Sequence, residues 1–128
     1  MGWFRKAVEG GIDVDAALQL LAKGGVLVDV RTTAEYVRGH APGARLVDPR
    51  AVAKGAWGAV HGDDPLAEPD GTMVFICDTG LRSSMCARVA REQGHAAEFI
   101  AGGVRAWRES GNFLLPGPPR ERRCQQPR

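Results

Sequence analysis

Cysteine is scarce in this chain, with three residues at 77, 86 and 124 in a length of 128. They have no metal-ligand spacing and make no even-numbered framework, which argues against a zinc ribbon or a disulfide-stapled scaffold. No apolar stretch approaches the ~20 residues that span a bilayer, so no membrane partner is expected. The start, from Met1 to Gly10, lacks a signal-peptide apolar core and turns polar at once. Charge of one sign is missing too: the net value is +2, which makes no case for nucleic acid. That charge is uneven, because Arg120, Arg122, Arg123 and Arg128 against Glu121 put +3 after Asn112 and leave about −1 elsewhere. Such a tail reads as solvated. A cytoplasmic, reducing setting is the plainest expectation, and a reactive thiol would survive in it.

What is present is an alternation of strand and helix patterns at a length suited to one domain. Residues 1–11 read as a lead-in, with Trp3, Phe4 and Val8 docking on the domain. The domain spans 12–111, and 112–128 form a Pro- and Arg-rich tail expected to be disordered beyond about Pro116. Asp13–Lys23 is a helix with Asp13 as N-cap and the stripe Val14, Ala17, Leu18 and Leu21, ended by Gly24-Gly25. Val26–Val30 is a buried strand. Thr32 and Glu35 form a capping box for a short helix over Thr33–Arg38, closed by Gly39. Ala44–Val47 is a second strand, and Asp48-Pro49 starts another helix.

Gly55 and Gly58 weaken that helix, and Trp57–Gly71 reads as an acidic loop containing a bland His61. Thr72–Cys77 is the central strand. Ser83–Gln93 is its helix, with Met85, Cys86, Val89 and Ala90 as apolar stripe. Ala97–Ile100 and Val104–Ser110 complete the pattern, the last burying Val104 and Trp107. Trp57 is expected in the core as well. The fold class is therefore α/β, with a mainly parallel sheet covered by helices on both faces.

The chemistry gathers where the central strand ends on Cys77 and the loop Asp78-Thr79-Gly80-Leu81-Arg82-Ser83 leads into a helix. Ligands bind at the carboxyl ends of strands in open α/β sheets, and free N–H groups at a helix start favour an anion there. Gly80 permits a positive φ or a close backbone approach, and the N–H groups of residues 78–83 can curve into a nest. Arg82 adds a permanent charge suited to an oxyanion. A thiolate in that ring is both a stabilised anion and a nucleophile.

These residues resemble the rhodanese family. The matching segments are Leu27-Val-Asp29-Val-Arg31, Glu35-Tyr36 with Gly39-His40-Ala-Pro42-Gly43-Ala44, Cys77-x-x-Gly80-x-Arg82-Ser83, and Gly102-Gly103-Val-x-Ala106-Trp107. They occur in family order and cover about residues 12–111. The resemblance implies the rhodanese-like fold and a sulfurtransferase of the thiosulfate sulfurtransferase type. In it Cys77 takes a sulfane sulfur from thiosulfate or a persulfide and passes it to a thiol or protein cysteine. It implies that the N–H groups of Asp78–Arg82 hold the persulfide, that the Arg82 side chain organises the loop or contacts the donor, and that no metal or organic cofactor is required. Asp29, Arg31 and His40 are implied as structural supports near the site.

Four residues separate Cys77 from Arg82. Related cysteine phosphatases and arsenate reductases place one residue more, so the smaller cradle suits a persulfide better than phosphate. One departure concerns Asp78, directly after the nucleophile. A carboxylate there repels a dianionic donor, which makes thiosulfate turnover poor unless Asp78 points away or the donor is a persulfide or polysulfide. The competing reading is a sulfur-relay or regulatory binding module with little turnover of free substrate. Cys86 is expected in the core rather than as a resolving thiol.

Overall fold

The computed structural model describes residues 10–62, 64–67 and 71–119. In chain order the elements are α1 (Val14–Ala22), β1 (Val26–Asp29), α2 (Thr33–Arg38), β2 (Arg45–Leu46), α3 (Pro49–Lys54), α4 (Ala56–His61), β3 (Met73–Ile76), α5 (Leu81–Glu92), β4 (Ala97–Phe99) and α6 (Gly103–Glu109). The strands form one parallel sheet in the order β2-β1-β3-β4. Beyond β4, Ile12 makes an isolated parallel bridge to Ile100. That bridge ties the chain before α1 to the sheet edge. Trp3, Phe4 and Val8 lie outside the described residues, as do Asp63, Glu68, Asp70 and everything from Arg120 on.

Side-chain alternation along the strands sorts the core into two layers. Val28, Met73, Phe75 and Phe99 face α3, α4 and α5 through Val52, Ala56, Val60, Cys86, Ala87 and Ala90. Leu27, Val74, Ile76 and Ile100 face α1, α2 and α6 through Val14, Ala17, Tyr36, Val104 and Trp107. β1 and β3 are covered on both sides, which is why they read as continuous apolar runs.

Local signals start the helices as their chemistry requires. Asp13 accepts from the Ala16 N–H, Thr32 and Glu35 form a reciprocal capping box, and Asp48 accepts from the Arg50 N–H with Pro49 at the first position. Two expectations are corrected. Residues 56–61 form a helix rather than the start of a loop, and His61 is 2% exposed, its ring 4.1 Å from that of Trp57. The Gln93 side chain braces the break at Gly55: its Oε1 accepts from Ala56 N–H at 2.8 Å, and its Nε2 donates to Val52 O at 3.0 Å. A contact from so far along the chain overrides the weak local propensity. On α5 the buried set is Ser83, Cys86, Ala87 and Ala90, while Met85 is 53% exposed. The stripe is rotated because small residues let this helix sit close to β3 and β4. Trp107 is buried and Trp57 packs partly buried against the core.

The packed chain runs past Gly111. The Trp107 indole N–H donates to Phe113 O at 3.2 Å, and Leu115 pairs antiparallel with His40. Gly117 N–H then donates to Val37 O at 2.9 Å. Among the described residues, no helix is long and apolar enough to cross a membrane.

Candidate active site

Cys77 follows the last residue of β3 and is 1% exposed. Its backbone is fixed from behind, because its carbonyl accepts from the Val104 N–H at 2.8 Å. That contact explains the paired glycines before α6. A Cβ on Gly103 would sit 2.2 Å from Cys77 O and 2.6 Å from Asp78 O, and its φ of +57° is one that side chains resist. The Gly-Gly motif is thus the seat on which the thiol loop rests.

The loop wraps its own sulfur. Gly80 N–H donates to Cys77 Sγ at 3.1 Å and Ser83 N–H at 3.3 Å. Gly80, the N-cap of α5, has φ +114°, and this reversal turns its N–H inward. With the thiol protonated, Sγ donates to Ser83 Oγ at 3.4 Å, and the Ser83 hydroxyl donates to Gly80 O at 3.1 Å. When the proton leaves, rotation of that hydroxyl supplies a third donor to the sulfur. Two fixed N–H groups and one rotor at a helix start stabilise an anion without reorganising the backbone. Asp78, Thr79 and Leu81 face solvent, whereas Gly80 and Ser83 are buried.

The guanidinium of Arg82 does not turn toward the sulfur. It reaches Glu35 on α2, with Nη1 donating to Oε1 at 3.0 Å and Nη2 to Oε2 at 3.2 Å. This bidentate bond, foremost, holds the Glu35 carboxyl down at about 2, with Thr32 helping. The same bond raises Arg82 above its ordinary value, and the charges of Cys77 and Asp78 add to the effect. Glu35 therefore does two jobs, closing the capping box of α2 and anchoring the first turn of α5. The local signal Thr32-x-x-Glu35 was legible; the second contact joins residues 47 apart and leaves no local trace.

The supporting residues form a second layer. Asp29 is fully buried and binds Arg31, whose Nη2 donates to Oδ2 at 2.8 Å and to Gly39 O at 2.7 Å. This joins the end of β1 to the turn after α2. The His40 ring stacks on Tyr36 with centroids 3.7 Å apart, its Nδ1 3.0 Å from Tyr36 O, and Tyr36 Oη donates to Ala44 O. Cys86, one turn into α5, is pushed up to about 11 by burial first and by the Cys77 charge second.

Two clefts flank the Glu35–Arg82 pair. One of about 250 Å³ is apolar, lined by Val52, Met85, Cys86 and Val89 with Arg82 at its edge. The other, about 290 Å³, is lined by Arg31, Glu35, Arg38, Asp78, Arg105 and Arg108, with Gly39, Val104 and Leu114. Among the described residues no group of three His, Cys, Asp or Glu side chains is placed to hold a metal ion.

Known proteins are similar to this chain in fold. The human single-domain sulfurtransferase TSTD1 is 28% identical over 78% of this chain and 96% of its own, with a TM-score of 0.63. A Rhodopseudomonas palustris protein of unknown function, described as a possible tyrosine phosphatase, is 29% identical over 78% of this chain and 77% of its own, with a TM-score of 0.61. A rhodanese homolog from Thermus thermophilus shares the fold at 23% identity, over 74% of this chain and 96% of its own, with a TM-score of 0.55. The model of the rhodanese-like domain matches residues 13–110, from the N-cap of α1 to the residue after α6. On that match, the chain belongs to the rhodanese-like domain family.

Proposed function

We propose that the protein is a sulfurtransferase in which Cys77 carries a sulfane sulfur between a small donor and a thiol, protein-cysteine or cyanide acceptor. The observation that carries this reading is the Cys77 sulfur held by the N–H groups of Gly80 and Ser83 at the start of α5. In the first half-reaction the thiolate attacks the outer sulfur of a donor such as thiosulfate. A new S–S bond forms, the donor's own S–S bond breaks, and the electron pair leaves on sulfite. In the second, the acceptor attacks the terminal sulfur of the Cys77 persulfide, and the pair returns to Cys77. This is covalent catalysis with ping-pong order. Asp78, Thr79 and Leu81 add loop N–H groups for the longer persulfide anion.

Phosphate chemistry fits less well, although one relative is described as a possible tyrosine phosphatase. Tetrahedral oxyanions need a guanidinium free to fork onto two oxygens. Here Glu35 occupies both arms of Arg82, and only four residues lie between Cys77 and Arg82. A relay module is the second reading, favoured by the burial of Cys77. It shares the loading step and differs in releasing sulfur only to a docked protein.

Steady-state sulfur transfer to cyanide tests the proposal. Parallel double-reciprocal lines for wild type and no turnover for Cys77→Ser are expected. Phosphate release from an aryl phosphate outpacing sulfur transfer from every donor would overturn it.

A further inference from the structure

The face beside the thiol loop carries positive charge that the fold does not use. Arg38 ends α2, and Arg105 and Arg108 lie one turn apart on α6, on the same side of that helix. With Arg31, Glu35 and Asp78 they line the 290 Å³ cleft. Arg31 is committed to Asp29 and Glu35 to Arg82. Arg38, Arg105 and Arg108 are exposed, and they have no ion-pair partner among the described residues. The Gly117 N–H donates to Val37 O, next to Arg38, and from that anchor the sequence continues into Arg120, Arg122 and Arg123.

Cys77 itself does not line this cleft, so the arginines do not hold the reacting sulfur. They stand to one side of it, with Asp78, the residue after Cys77, on the near border. Exposed ionic contacts are individually weak, so a small anion gains little from three solvated guanidiniums. A segment carrying several carboxylates gains from all three and is steered to them from a distance. Nucleic acid fits less well. Asp78 repels phosphates on the side of the sulfur, and the whole chain carries a net charge of only +2.

We propose that Arg38, Arg105 and Arg108 dock an acidic segment of the protein whose cysteine takes the sulfur from Cys77. The proposal rests on the sulfurtransferase reading and adds the surface that selects the acceptor. Cys77 is 1% exposed, so an acceptor thiol must be aimed into the loop. Docking beside the loop raises the effective concentration of that thiol and orients it. Asp78 keeps the partner's carboxylates over the arginines and off the sulfur, which sets the acidic segment apart from the acceptor cysteine. In the transfer, the docked thiolate attacks the outer sulfur of Cys77–S–SH. A new S–S bond forms, the bond to Cys77 Sγ breaks with its pair staying on Cys77, and the proton stays on the transferred sulfur.

The test loads Cys77 from inorganic polysulfide or thiosulfate, removes the excess, and follows loss of the added sulfur by intact mass as cysteine peptides are supplied. Each peptide carries one cysteine and a Gly-Ser spacer leading to a run of glutamates, serines or lysines. In wild type at low salt and low peptide, the glutamate form should discharge Cys77 about five- to thirtyfold faster than the serine form, the size of three exposed ionic contacts. The lysine form should be no faster than the serine form, and salt should erase the glutamate preference. Arg105→Glu/Arg108→Glu should reverse the order of the glutamate and lysine peptides, a result that lost folding does not produce. Lys23→Glu, before β1 at the opposite end of the sheet, should keep the wild-type order. Equal discharge by all three peptides, or a glutamate preference that the double arginine variant retains, overturns the docking face and leaves the sulfurtransferase reading standing. Binding of a single-stranded oligouridylate that the double variant abolishes, without any glutamate preference, does the same and reassigns the face to nucleic acid. No sulfur on Cys77 from either donor overturns both.

Discussion

Glu35 decides what Arg82 can do. Its carboxylate holds both arms of the guanidinium, so the permanent charge of the loop is turned to α2 and steadies the first turn of α5 instead of capping a substrate oxygen. Because the Glu35 carboxyl lies at about 2 when folded against an ordinary 4.5, its contribution to stability is complete above the ordinary value. That contribution fades as the pH falls toward the folded value. Chemical denaturation of wild type and Glu35→Gln should therefore differ by a constant amount at neutral pH and converge between about pH 4.5 and 2. Sulfur loading should slow in the same variant by about three- to tenfold, because a neutral amide keeps the α2 cap but releases Arg82. Cys86 gives a second test at this scale. Burial holds its thiol at about 11, so iodoacetamide at neutral pH should leave Cys86 unmodified when peptides are mapped. Substantial labelling there in the folded protein would contradict its place in the core.

The element that seats the site is the start of α6. Gly103→Ala should cost about 2 kcal/mol or more, since the new Cβ meets two backbone oxygens and a left-handed φ at once. Calorimetry should show a lower Tm, and loading of Cys77 should fall with it. Gly58→Ala in α4 is the matching control: nothing lies within 4 Å of the added Cβ, and a gain of about 0.5 kcal/mol is expected. Elements whose signals are local were legible in the residues themselves. Thr32 and Glu35 marked α2, Asp48-Pro49 marked α3, and the strand–Cys–Gly–Arg order put the thiol at a helix start. Where distant contacts decide, the residues were silent. α4 depends on Gln93, the C-cap of α5, bracing the break at Gly55, and the exposure of Met85 depends on how closely Ala87 and Ala90 let α5 approach the sheet. Likewise, no spacing rule couples Glu35 to Arg82.

Across the whole molecule, two core layers on one parallel sheet deliver β1 and β3 side by side, with Asp29–Arg31 and Cys77 at the same end. The segment after α6 returns to that end through Phe113, Leu115 and Gly117. A chain ending at Gly111 should lose these bonds and leave the Trp107 indole and the His40 backbone without them. It should be less stable than a chain ending at Pro118 by about 1–3 kcal/mol in urea denaturation. The account as a whole stands on Cys77 taking up sulfur. Intact mass after incubation with a persulfide donor tests it most directly. A gain of one sulfur that cyanide removes, mapped to Cys77 and absent from Cys77→Ser, is the predicted result; an unchanged wild-type mass, or the same gain in Cys77→Ser, would contradict it.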